Sequence, residues 1–173
     1  ISDFTGGYIG DGDEFSFSGR DGIRIETMSG ADTQITFNFL HDNREDGLHI
    51  VTLEDGFVGD LDTNNYGNLL ENNGENGLYV ETMNGGTVTR NNASGNGTEG
   101  IAGSQNGFRF GQVNAGTVRY NVAQDNRGNG LLFNSVTPTA DGVLVTNNLA
   151  LQNDLNGLHF QLLNEGAGTT TIT

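Results

Sequence analysis

Six residues spaced by one structural period could share a recognition surface: Arg24, His49, Tyr79, Arg109, Leu132 and His159. Each stands two positions after a glycine, between two apolar residues. On a strand, such a position points away from the side its neighbours face. Strands stack about 4.8 Å apart, so these side chains would form a ladder on one sheet face. The ladder holds two of the seven Arg and two of the three His of a chain with net charge −15. Guanidinium groups hold carboxylates bidentately, and aromatic rings offer flat apolar faces. Arg24, His49, Tyr79, Arg109 and His159 are therefore the candidate contacts for an acidic polysaccharide. His49, Tyr79 and Arg109 could also supply a base, an acid and a clamp. The plainer account is the ordinary preference of such residues for exposed sheet positions, and Leu132 interrupts the pattern.

A second chemistry is suggested by carboxylates. Asp11-Gly12-Asp13-Glu14 lies near the start, and Glu54-Asp55 and Asp60-Leu61-Asp62 follow later. Calcium takes six to eight oxygens from such groups. Asp11, Asp13, Asp60 and Asp62 are the candidate Ca²⁺ ligands, although neither cluster has the spacing of an EF-hand or of a Gly-Gly-x-Gly-x-Asp repeat. Solvated loop acids are the simpler reading. The acidity is uneven: residues 1–86 carry 17 of the 22 acids and 3 of the 7 Arg, and Lys is absent. A surface of this sign repels nucleic acid and anionic membranes. Its self-repulsion is relieved by salt, which suits an extracellular or cell-surface setting. Cysteine is absent, so no disulfide framework exists, and no apolar run reaches membrane-spanning length.

The element that must position these groups is a repeat. An Asn-rich motif begins at Asp13, Asn38, Asn68, Asn91, Asn121 and Asn148. A second polar column follows at Ser18, Asn43, Asn73, Asn96, Asn126 and Asn153, and a third at Asp21, Asp46, Asn76, Asn106, Asn129 and Asn156. The fourth copy reaches Asn106 only after an insertion within Gly97–Gln105. Glycine comes next each time, and the period runs from 23 to 30 residues. Such self-similarity is the mark of a solenoid.

Apolar columns run in the same register. Ile23, Leu48, Leu78, Phe108, Leu131 and Leu158 form one; Ile25, Ile50, Val80, Phe110, Phe133 and Phe160 form the next. Further columns fall at Met28, Leu53, Met83, Val113, Val136 and Leu163, at Ile35, Val88, Val118 and Val145, and at Phe15, Leu40, Leu70, Ala93, Ala123 and Ala150. Short strands with two or three inward residues, parted by tight bends, are expected. Left-handed backbone is cheap for Gly and tolerated by Asn, so the Asn and Gly columns are expected to make the bends. Asn in successive coils can also stack as an amide ladder.

Asn-Gly between apolar alternations is a hairpin signal, but the residues before it are polar, so the strand on one side is missing. A leucine-rich horseshoe fits the period but wants denser leucine. The expected fold is all-β, a right-handed parallel β-helix of about six coils and roughly 29 Å, forming a single domain over residues 1–173.

Stretches such as Asn121-Val-Ala-Gln-Asp-Asn-Arg-Gly-Asn-Gly-Leu-Leu-Phe resemble the right-handed parallel β-helix repeats of pectate-lyase-like proteins. They look most like those of alginate C5-epimerases and related secreted bacterial surface proteins. The resemblance covers Asp13 to Thr173 and implies a scaffold shared by many functions. Catalysis gains little from it. The epimerases carry Asp-Pro-His, whereas the only proline here is Pro138, in Thr-Pro-Thr. Polygalacturonase-like hydrolases carry Gly-His-Gly, which His41, His49 and His159 all lack. Pectate lyases join Asp-bound calcium to Arg and Lys, and there is no Lys.

The final residues, Gly168-Thr-Thr-Thr-Ile-Thr173, repeat the strands Gly86-Thr-Val-Thr and Gly116-Thr-Val-Arg. An open coil exposes core and unpaired backbone. The expected role is thus a structural or adhesive rod segment of a secreted or cell-surface protein. It would stack end to end with itself or with further coils of its parent. A carbohydrate-binding or carbohydrate-active module acting on an acidic polysaccharide is the alternative.

Overall fold

The computed structural model describes residues 1–60, 67–100 and 103–173. Every strand pairing among them is parallel. One face of the solenoid stacks the start of Ile23–Ile35, then Leu48–Leu53, Leu78–Met83, Phe108–Val113, Leu131–Val136 and Leu158–Phe160. Because Ile23–Ile35 runs on past Met28, it also opens a second face, continued by Phe57–Gly59, Thr87–Thr89, Gly116–Arg119, Val143–Thr146 and Thr170–Ile172. A separate sheet stacks Glu14–Ser16, Phe39–His41, Leu69–Glu71, Asn92–Ser94, Val122–Gln124 and Leu149–Leu151. The chain thus winds about six times around one axis. Among the described residues no helix is long and apolar enough to cross a membrane.

The columns read from sequence are the observed register. Leu48 lies opposite Ile23 and Leu78, and Ile50 opposite Ile25 and Val80. The core columns are buried through the middle coils: Ile25, Ile50, Val80, Phe110 and Phe133 are all at 0% exposure. Phe110, Phe133 and Phe160 stack with ring centroids 4.7 Å apart. That is the spacing of one coil, so identical residues in one column make continuous van der Waals contact along the rod. Val58 and Ile172 complete the column of Ile35, Val88, Val118 and Val145. A strand that lies outside the repeat, Asp3–Ile9, pairs with Ile23–Ile35. It covers part of the amino-terminal edge that the repeat pattern leaves open.

The bends differ from expectation. The left-handed residues are not the Asn columns but the residues just before them. Phe17, Phe37, Asp42, Asn72, Arg90, Tyr120, Asp125, Asn147 and Gln152 have φ between 52° and 57°. Most are not residues that favour this conformation, which costs an L-residue about 1–2 kcal/mol. The following Asn offsets that cost with hydrogen bonds. Asn73, for example, donates its N–H (3.0 Å) and Nδ2–H (3.0 Å) to Asn96 Oδ1, and Nδ2–H also to the Leu40 carbonyl (3.1 Å). The same pattern runs from Asn43 through Asn126 to Asn153, and in parallel from Asn38 through Asn121 to Asn148. The amide ladder is therefore doubled, and in both copies each Asn donates to the next coil.

The glycines after the third polar column serve close approach rather than left-handed φ. A Cβ at Gly47 would sit 2.7 Å from Asn73 Nδ2 and 2.8 Å from the Gly77 carbonyl oxygen. The ladder amide and the next coil's backbone fill that space.

Candidate functional site

A third ladder is where chemistry enters. It runs in the opposite sense: Asn106 donates N–H (3.2 Å) and Nδ2–H (2.9 Å) back to Asn76 Oδ1, and Asn129 and Asn156 do the same to their predecessors. Asn76 in turn donates to Asp46 Oδ1 at 2.9 and 2.8 Å. In the first two coils this column holds Asp21 and Asp46. Asp46 N–H still reaches Asp21 Oδ1 at 3.2 Å. Its Oδ2, however, replaces the amide nitrogen that would have donated. Two carboxylates are left facing each other, both buried.

His49 closes over them. It comes from the outward ladder but is 8% exposed, not the open surface residue that its position suggests. Nδ1 lies 3.3 Å from Asp46 Oδ2 and 3.6 Å from Asp21 Oδ2. Arg24 Nη1 lies 2.9 Å from the same Nδ1. Nε2–H donates to Glu81 Oε1 at 2.8 Å, while Nδ1 faces the Arg24 guanidinium and the two Asp carboxylates. Arg24 is held from the other side by Glu26, at 2.9 Å from Nε. The electrostatics follow from burial. Desolvation pushes the Asp46 carboxyl up to about 7, against the hydrogen bonds from Asn76. Burial also works against charge on His49, but Asp21, Asp46 and Glu81 outweigh it and hold the ring above its ordinary value. Asp21 is likewise penalised by burial, yet His49 and the Asp46 N–H bring it below the usual carboxylate range.

The outward ladder continues as Tyr79 and Arg109. The His49 and Tyr79 rings lie 4.8 Å apart, and the Arg109 guanidinium sits 4.6 Å above the Tyr79 ring. Arg109 bonds to neutral partners, Asn134 Oδ1 at 3.3 Å and Ser104 Oγ at 3.1 Å. Burial raises both Tyr79 and the nearby Glu75 above their ordinary values. Four of the five expected contacts are thus adjacent. His159 is parted from them by Leu132, its partner in register, which is itself buried.

The four acids expected to hold calcium fare differently. Asp11 and Asp13 are exposed near the amino-terminal turn, Asp60 is buried beyond Gly59, and Asp62 lies outside the described residues. Among the described residues, the carboxylate and imidazole atoms that gather within 4.8 Å of one another belong to Asp21, Asp46 and His49. The sequence carried a signal for them: Asp in two consecutive places of a column that is otherwise Asn.

The family model for the right-handed β-helix region matches residues 3–170. The chain belongs to the right-handed β-helix family. Comparison with curated proteins and with solved structures found no significant match. In this β-helix the ladder face is the long parallel sheet of the first strand of every coil, and the Asp21–Asp46–His49 cluster sits at its amino-terminal end.

Proposed function

We propose that this β-helix is a structural or adhesive rod segment of a secreted or cell-surface protein, extended end to end by further coils. One observation carries the reading: the apolar columns are left uncovered at one end. Leu158, Leu163 and Ile172 are 42%, 53% and 42% exposed, while the members of the same columns two coils back, Phe108, Val113 and Val118, are at 0%. Leu149, Leu151, Leu155 and Leu162 are exposed beside them. Among the described residues, the strands Leu149–Leu151, Leu158–Phe160 and Thr170–Ile172 each pair on one side only. An apolar coil face of this kind is stabilised by stacking against another coil, which a second copy supplies. Negative-stain electron microscopy of the isolated chain tests the idea. Rods longer than the roughly 29 Å of six coils support it. Single short particles at every concentration refute it.

A second reading is favoured by Tyr79 and Arg109: a stacked ring and a guanidinium whose hydrogen bonds go to neutral Asn134 and Ser104, with Glu75 its nearby carboxylate, could hold one sugar acid. Arg24, His49 and His159 would extend the contact along an acidic polysaccharide, in the manner of the uronan-modifying β-helices that the repeats resemble. Glu26 and Glu81 on the same face oppose a polyanion. Titration with polyuronate oligomers, wild type against Arg109→Gln, separates this from the structural role. Equal weak binding by both would remove it.

A further inference from the structure

We propose that Asp21, Asp46 and His49 form a binding site for a divalent transition-metal ion of the zinc class. The donors are Asp21 Oδ2, Asp46 Oδ2 and His49 Nδ1. Nδ1 lies 3.3 and 3.6 Å from the two oxygens. Donors on a tetrahedral ion with bonds of about 2.1 Å lie about 3.4 Å apart, which both imidazole-to-carboxylate distances approach, and all three donors lie within 4.8 Å of one another. An imidazole beside two carboxylates suits zinc-like ions, whereas calcium and magnesium prefer oxygen alone.

A second observation points to a missing partner. Asp21 Oδ2 is fully enclosed and accepts no hydrogen bond, in a residue that is only 8% exposed. Its nearest neighbours, Arg24 Nη1 and His49 Nδ1, are each 3.6 Å away, so a buried carboxylate oxygen with no close hydrogen bond has room for a tighter cation. The outer shell is also built. Glu81 accepts the Nε2–H of His49 at 2.8 Å, which orients the ring so that Nδ1, deprotonated as the ion binds, faces the two carboxylates. Asn76 and the Asp46 N–H take the Oδ1 atoms, leaving each Oδ2 to face the cluster.

Arg24 stands at the mouth. Its Nη1 is 2.9 Å from Nδ1 and 3.6 Å from Asp21 Oδ2, and its side chain is 36% exposed. It acts as the place-holding cation. An incoming ion displaces it toward Glu26, which it already contacts. The bound ion would staple the first coil to the second, because Asp21 and Asp46 are the same position of consecutive coils.

Untagged protein, freed of metal by chelation, is titrated with zinc by calorimetry and with cobalt by visible absorption, and melted with and without each. The expected result is one ion per chain, a cobalt spectrum of low-symmetry nitrogen and oxygen ligation, and a melting temperature raised by several degrees and returned by chelator. Asp46→Asn should abolish the binding while keeping the fold, since an Asn there restores the amide ladder. His49→Gln should abolish it independently. Arg24→Gln should tighten it severalfold by removing the competing cation. Wild-type protein that takes up no zinc overturns the site. So does zinc uptake by the folded Asp46→Asn or His49→Gln variant equal to that of wild type, which would place the ion among the acidic loops instead.

Discussion

Replacing Asn126 by Ala should be among the most damaging single changes in the middle coils. Its side chain is fully buried. Nδ2 donates to Asn153 Oδ1 at 2.8 Å and to the Ala93 carbonyl at 3.1 Å. Its Oδ1 accepts from Asn96 N–H at 3.0 Å and from Asn96 Nδ2–H at 2.9 Å. Alanine removes all four bonds and keeps the backbone ones, the residue's own N–H to Asn153 Oδ1 at 3.1 Å and its carbonyl accepting from the Asp154 N–H at 2.9 Å. The Asn96 amide and the Ala93 carbonyl would then be buried without these partners. At about 1 kcal/mol for each net bond, the loss is about 3–4 kcal/mol, trimmed if a water enters the space. Adjacent Arg127 is the control, because its single bond to the Thr98 carbonyl is exposed and 3.3 Å long. Arg127→Ala should change stability by less than about 0.5 kcal/mol. Urea denaturation followed by far-ultraviolet circular dichroism compares the two. Equal midpoints would refute the claim that the amide ladders hold the coils together.

Gly47→Ala should destabilise by about 1–3 kcal/mol through overpacking against Asn73 and the Gly77 carbonyl, and Gly12→Ala, with open space around its Cβ but φ of +86°, should cost backbone strain alone; thermal melts of both check this. The pKa of His41 is held above the ordinary imidazole value, chiefly by its hydrogen bond to Asp42 and then by Glu14, against burial. A raised folded value means that its contribution is fully present below the unfolded value and is lost as pH rises through the folded one. Nuclear magnetic resonance titration of His41 should show the raised value, and Glu14→Gln should lower it; a midpoint unmoved by Glu14→Gln would deny the Glu14 contact its part.

Most of the fold was legible because one period governs every coil. Columns such as Ile25 to Phe160 announce themselves when the motif is aligned, and the observed pairing follows them residue for residue. Val58 escaped because the second coil is lengthened after Gly59, which hides its phase. Asp3–Ile9 escaped because it carries no motif at all. The left-handed bends at Phe17, Arg90 or Tyr120 could not be read from residue type, since the stabilising bonds come from the next residue's side chain. The site was half legible. Arg24, His49, Tyr79 and Arg109 followed from register, but register alone gives no depth, and the burial of His49 comes from the acids folded beneath it. Those acids, Asp21 and Asp46, look like ordinary members of a turn column until the direction of the third ladder is known.

The central claim is that the uncovered end seeks another coil. Sedimentation velocity over a concentration series measures it directly, comparing wild type with the double variant Leu158→Glu, Leu163→Glu. The account predicts that wild-type mass grows in steps of 18.4 kDa with concentration, while the variant stays a single chain. Wild-type protein that remains one chain at the highest concentration would contradict it.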